Sequence, residues 1–179
     1  MSEVNWGSVA DWVSGLGTMS AGAIALYLAR ESTRIRLTGY CGTRIMVGGG
    51  VPKQDVVMIS ATNIGTRATI VNNISMSVGW PKRRYAVINM VRDAHSVGVP
   101  YQLGDGQEGH WGIQLDAQRT WLRELCDGFI TSEWGVKTLR FRIHTNHGES
   151  LSLKPEKAML DELRRLIAER QKSPPAAAT

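Results

Sequence analysis

Not one lysine or arginine occurs between Met1 and Ala29, where Glu3 and Asp11 are the only charged side chains. Cysteine is almost missing: Cys41 and Cys126 are all there is, too few for a disulfide framework and compatible with a reducing cytosol. Neither has a neighbouring base in the sequence to lower its thiol pKa, so both read as small core residues. No C-x-x-C pair, H-E-x-x-H helix or G-x-S-x-G elbow occurs, which removes the commonest redox, zinc-hydrolase and serine-hydrolase arrangements. Gly48-Gly49-Gly50 continues into Val51-Pro52 and lacks the Lys-Ser/Thr with which a phosphate loop holds nucleotide and Mg²⁺. Of His95, His110, His144 and His147, only the last two stand close together, and two ligands fall short of the three or four that a metal needs. The expectation is a chain with no catalytic residue, no metal site and no cofactor.

What is present is an unusual distribution of charge. The 179 residues are 42% hydrophobic, inconsistent with a wholly disordered chain, and the length suits one domain with appendages. All 21 Lys and Arg fall in residues 30–179 against 14 of the 16 acidic residues, so the chain's net +5 is a net +7 there. Between Asp11 and Arg30 lies an uncharged window from Trp12 to Ala29, WVSGLGTMSAGAIALYLA. As a helix it rises ~27 Å, close to the ~30 Å hydrocarbon thickness of a bilayer. Trp12 and Tyr27 sit near its ends, where amphipathic rings favour the interface. Acidic residues precede the window and Arg30, Arg34, Arg36 and Arg44 come after it. By the positive-inside rule this describes a single-pass inner-membrane protein, N-terminus outside and main domain cytoplasmic.

Gly15, Gly17, Gly22, Ser14, Thr18 and Ser20 dilute the window's apolarity. Gly17, Ala21, Ala25 and Ala29 recur every four residues on one face. This small-xxx-small spacing lets helix backbones approach, and it predicts self-association through Gly17, Ala21 and Ala25. Two alternatives stand beside the span. One is a helix docked on its own domain or within a soluble cytoplasmic oligomer. The other is a cleaved signal, against which the missing basic n-region argues.

The body reads as short alternating strands with two helices. Arg34 to Val47 alternates, with Ile35, Leu37 and Cys41 opposite Arg36, Thr38 and Tyr40. Asp55 to Asn63 is a β-rich run; Thr69 to Val78 alternates, Ile70, Asn72, Ile74, Met76 and Val78 sharing one face. Trp80 to Arg84 reads as a turn, Tyr85 to Val91 as the returning strand, and Trp111, Ile113 and Leu115 as another strand. Asp116 caps a short helix ending at Asp127-Gly128. Val136 to Thr145 predicts a strand burying Leu139, Phe141 and Ile143, followed by a hairpin turn at Asn146-His147-Gly148 and a partner strand with Leu151 and Leu153. Pro155 opens a final amphipathic helix to about Lys172, striped by Met159, Leu160, Leu163, Leu166 and Ile167. An exposed stripe there would be a partner-binding face. The predicted fold is mainly β with helices (α+β): an antiparallel sandwich or barrel of about seven to eight strands. Its parts are a helix over 1–30, a β-domain over 31–155, a helix over 156–172 and a tail, SPPAAAT, with no reason to be ordered.

The segment Ala61-Thr62-Asn63-Ile64-Gly65-Thr66-Arg67, leading into Thr69-Ile70, resembles a T-N-x-G-x-R strand-turn-strand element. It is similar to that of small bacterial and phage proteins of unknown function that join one N-terminal membrane helix to an immunoglobulin-like β-sandwich. The Gly104-Asp105-Gly106 turn and the Asn146-His147-Gly148 hairpin fall in similar relative places, so the resemblance covers roughly residues 10–155. It implies architecture only, with no activity or site to carry over.

Basic clusters are the remaining candidates. Lys82, Arg83 and Arg84 lie between Trp80 and Tyr85, and Arg140 and Arg142 share a strand face. Such groups hold phosphates while rings stack on bases, or gain ~1 kcal/mol each beside anionic lipid, or simply face solvent. Membrane surface outweighs nucleic acid or nucleotide because a membrane-length helix precedes the basic body. The expected function is a non-enzymatic, membrane-tethered interaction or scaffold protein that forms homo-oligomers, its protein partner unspecified. The alternatives are a ligand-gated membrane effector of antiphage or toxin type that senses a nucleotide or other anion, and a soluble virion or assembly subunit.

Overall fold

Alternation from Leu37 onward builds a long hairpin, β1 (Leu37–Gly48) pairing antiparallel with β2 (Val51–Asn63). The computed structural model describes residues 9–48 and 51–172, so Gly49-Gly50 and the SPPAAAT tail lie outside the described residues. β1 starts later than Arg34, and β2 begins earlier than Asp55. β2 also pairs with β6 (Glu108–Leu115), completing a three-stranded sheet ordered β1-β2-β6.

A second sheet has five strands: β3 (Thr69–Val78), β4 (Arg84–Ile88), β5 (Tyr101–Leu103), β7 (Arg140–Thr145) and β8 (Ser150–Leu153). Its order is β4-β3-β7-β8, with β5 also on β3. Every pairing between strands is antiparallel. The strict alternation expected for β3 is broken by a register shift between Val71 and Asn73 against β7. Val71 is therefore buried on the same side as Ile74, Met76 and Val78, while Asn72 and Asn73 are both exposed. A bulge inserts one residue and flips the phase of the strand beyond it. The returning strand β4 ends at Ile88, short of Val91.

Helical segments depart more from the sequence reading. The Asp116 carboxylate accepts from the Thr120 backbone N–H at 2.7 Å and binds its hydroxyl at 2.5 Å. Asp116 is nonetheless not the N-cap: α2 (Thr120–Glu124) starts after Arg119, which takes the cap position in the left-handed region, and passes into a π-helical turn over Leu125–Phe129. Val136 to Thr138, expected as strand, belongs to α3 (Glu133–Thr138), whose Ser132 side chain accepts from the Gly135 N–H at 3.2 Å. A local cap outweighs the weak β pattern of so short a segment. α4 (Lys157–Lys172) buries all five stripe residues against β1, α2, α3 and the π turn. That corrects the option of an exposed partner-binding stripe. A paired set of 2.6 Å bonds between Arg44 and Glu156 fastens its start to β1.

One core cluster draws side chains from both sheets and α4, around Trp111, Phe141, Ile59 and Ile74. Trp111 is fully buried, meets Tyr101 edge-on at 6.4 Å and donates to the Gly98 carbonyl at 2.7 Å. None of its buried members precedes Cys41. The first helix, α1 (Val9–Ser32), has 24 residues and no buried one.

Candidate functional site

α1 is long and apolar enough to cross a membrane, and none of its apolar window is buried in the fold. Docking on its own domain is thereby corrected: the core closes without it. Leu16, Met19, Ile24, Leu26 and Leu28 all stand more than half exposed. The hydroxyls that dilute the window are satisfied within it, Thr18 donating to the Ser14 carbonyl at 3.0 Å and Ser20 to that of Leu16 at 2.8 Å. Such back-bonding lets Ser and Thr sit in an apolar medium. Nothing lies within 4 Å of a Cβ built at Gly15, Gly17 or Gly22, and Ala21 and Ala25 are likewise exposed. The helical turn gathers Gly15, Ala21, Gly22, Ala25 and Ala29 on one side of α1, with Gly17 at its edge, and most of the large side chains on the other.

The helix leaves the domain through a defined joint. Glu31 pairs with Arg34 at 3.3 Å and with Arg36, and Thr66 donates to the Ser32 carbonyl at 2.9 Å. Ile64 donates from its backbone to the Arg36 carbonyl at 2.8 Å. A side chain at Gly65 would come within 3.0 Å of the Arg34 and Arg36 backbone. Asn63 makes this turn possible. Its amide donates to the Arg67 and Leu103 carbonyls at 2.8 and 3.2 Å and accepts from the Gly65 N–H at 3.0 Å. The T-N-x-G-x-R element is therefore the socket that receives the end of α1. No local pattern carries this role, because the segment it grips, Ser32 to Arg36, lies far upstream in the chain.

The five candidate cations do not form one cluster. Arg84 pairs in register with the buried Val78 and, though exposed, is engaged at Phe129, donating to its carbonyl and lying 5.6 Å over its ring. Arg83 stays in the turn, 5.9 Å from the Trp80 ring, and Lys82 is exposed beside it. Arg140 and Arg142 emerge on the opposite face of the sheet, where Arg140 donates to the Leu139 carbonyl at 2.7 Å and Arg142 lies 5.8 Å over Tyr85. In the sequence Tyr85 is only a flank of the turn; the pairing of β3 with β4 and β7 brings it to Arg142.

Topology also fixes where the turn lies. The joint sits at the Thr69 end of β3 and the Trp80–Arg84 turn beyond its Val78 end. Nine strand steps separate these ends, ~30 Å, against a Debye length of ~8 Å at physiological salt. Arg34, Arg36 and Arg67 share the joint end instead.

The histidines are apart from one another in their contacts. His144 Nε2 meets the Ser75 hydroxyl at 2.8 Å, and His147 Nδ1 lies 3.4 Å from that of Thr69. Burial, then the charge of Arg142, holds the His144 imidazole below its usual pKa. Among the described residues no group of three or more His, Cys, Asp or Glu converges. Cys41 and Cys126 are both buried and free; burial raises the Cys41 thiol far above its ordinary range and pushes Cys126 up to about 11. No protein-family model matches the chain, and no curated protein matches it either.

Proposed function

We propose that this chain is a membrane-tethered binding protein, in which α1 crosses a bilayer once and holds a cytoplasmic β-sandwich. The observation carrying this reading is that a 24-residue helix, uncharged from Trp12 to Ala29, contributes nothing to the core. Left in water it would expose a continuous apolar surface of a size that soluble monomers avoid. The two sheets share one core and α4 covers part of it, which favours an immunoglobulin-like sandwich over a closed barrel. Charge orients the span: Glu3 and Asp11 on one side, Arg30, Arg34 and Arg36 on the other. The small-residue side of α1, with Ala21 and Ala25 and with Gly17 at its edge, serves contact with a second copy. The bacterial or phage origin proposed here rests on the T-N-x-G-x-R resemblance, and scaffolding through an unspecified protein partner follows from the tether.

Carbonate extraction of membranes, with protease accessibility of tagged termini, tests the tether and its direction together. The expected outcome is full-length protein retained in the membrane, its N-terminal tag cleaved only from outside. An intact mass lacking the N-terminal segment would replace the tether with a cleaved signal. Detergent-independent oligomers recovered wholly in the soluble fraction would replace it with an assembly subunit.

A further inference from the structure

On the face of the five-stranded sheet turned away from the core, two rows lie nearest the Trp80–Arg84 turn. Tyr85, Ser77 and Arg140 form one, Val87, Ser75 and Arg142 the next, in each case across β4, β3 and β7. Ser75 and Ser77 face outward and yet are only 6% and 3% exposed. Arg142 and Tyr85 come from opposite sides of β3 and meet above it at 5.8 Å, and His144 Nε2 lies 2.8 Å from the Ser75 hydroxyl. Tyr85 remains 59% and Val87 70% exposed, and Trp80, in the adjoining turn, 67%. Neither the strands of these rows nor residues 79–83 place an acidic side chain here. Among the described residues the Arg142 guanidinium has neither a hydrogen bond nor an ion pair, and its Nε is buried without a partner. Among the described residues Arg83 likewise has no side-chain hydrogen bond or ion pair, and it lies 5.9 Å from the Trp80 ring.

We infer that this face and the Trp80–Arg84 turn bind single-stranded nucleic acid. Charge complementarity selects a polyanion, since Lys82, Arg83, Arg140 and Arg142 are cations with no carboxylate among them. Exposed Tyr85 and Trp80 each carry an Arg beside the ring, and an aromatic with a neighbouring guanidinium is the arrangement on which unpaired bases stack. A duplex hides its base faces and gains nothing from those rings. Anionic lipid is disfavoured by position, the turn lying ~30 Å along β3 from the joint that leads to α1. Ser75 and Ser77 lie beneath the Arg142–Tyr85 contact and present no pattern of donors to an incoming base, so binding through the rings and cations is tolerant of sequence. Binding on this sheet does not require the tether.

The test uses the full chain in detergent micelles and a fluorescein-labelled oligothymidylate long enough to cover the face, about 20 nucleotides. Anisotropy should rise on binding, and affinity should fall steeply as salt increases from about 50 to 200 mM. Trp80→Leu and Tyr85→Leu keep apolar bulk at exposed positions and remove the stacking ring; each should weaken binding by roughly 5- to 100-fold. Lys82→Gln with Arg83→Gln should lower the salt slope by about one to one and a half. Thermal unfolding of each variant, read by circular dichroism, should match the parent. An unbound oligonucleotide at the lowest salt overturns the inference. So does equal competition by duplex DNA or heparin with the leucine variants unaffected, which would make the face a plain polyanion surface. Displacement by phosphatidylglycerol vesicles alone would assign it to lipid.

Discussion

Asn63 uses its whole amide on the turn that receives α1, and it is fully buried while doing so. Asn63→Ala should therefore cost about 1–3 kcal/mol, the penalty for leaving buried backbone groups unpaired, read from urea unfolding. His144 supplies a pH signature. Its folded pKa lies below the ordinary value, because burial and Arg142 both disfavour the imidazolium. The unfolded chain thus takes up this proton first as pH falls. Stability from this group is complete above about pH 6.5 and is lost as pH drops from there through the lowered native value. His144→Gln should flatten that part of the urea-midpoint profile. The thiols make a third case: buried, with raised pKa, Cys41 and Cys126 should resist alkylation at neutral pH until denaturant is added. That both are core residues is readable from the absence of a neighbouring histidine or other general base that would activate a thiol. That Asn63 is a clamp is not, since its partner Leu103 and the Arg36 segment beside its turn are distant in sequence.

Among the elements, strong periodicity and long apolar stripes are legible, as in α4, whose five predicted stripe residues are all buried. The hairpin of β7 and β8 is equally clear from alternating residues on either side of Asn146-His147-Gly148. Short elements are not: α3 depends on the Ser132 cap and on Gly79 donating to the Thr138 hydroxyl at 2.8 Å. The bulge in β3 likewise arises from pairing with β7, a strand far along the chain. At this scale α1 offers a direct test of helix contact. Ala21→Ile places a branched side chain on the small-residue side without adding charge. Cross-linking of the full chain in micelles should show the oligomer reduced several-fold, the backbones no longer approaching closely. A matched change on the large-residue side, Leu16→Ile, should leave the oligomer intact.

For the molecule as a whole, the position of charge outranks its amount. Replacing Arg34 and Arg67 by Gln removes cations at the joint end, where anionic lipid is worth about 1 kcal/mol for each nearby basic group. Those changes should weaken the domain's protection from protease on phosphatidylglycerol-containing proteoliposomes. Lys82→Gln with Arg83→Gln, at the other end of β3, should leave that protection unchanged. The sequence by itself determined that a cation-free helix of membrane length precedes a basic, mainly β body, because hydrophobic length and local charge are one-dimensional properties. It also determined most strands, through period-two alternation. Only the tertiary structure decided which cations are neighbours. Strand pairing set Arg84 against Phe129 and Arg142 above Tyr85, and moved the Lys82–Arg84 turn to the end opposite the joint. Side-chain neighbourhood across a sheet depends on register between segments far apart in the chain, and no local pattern carries that register.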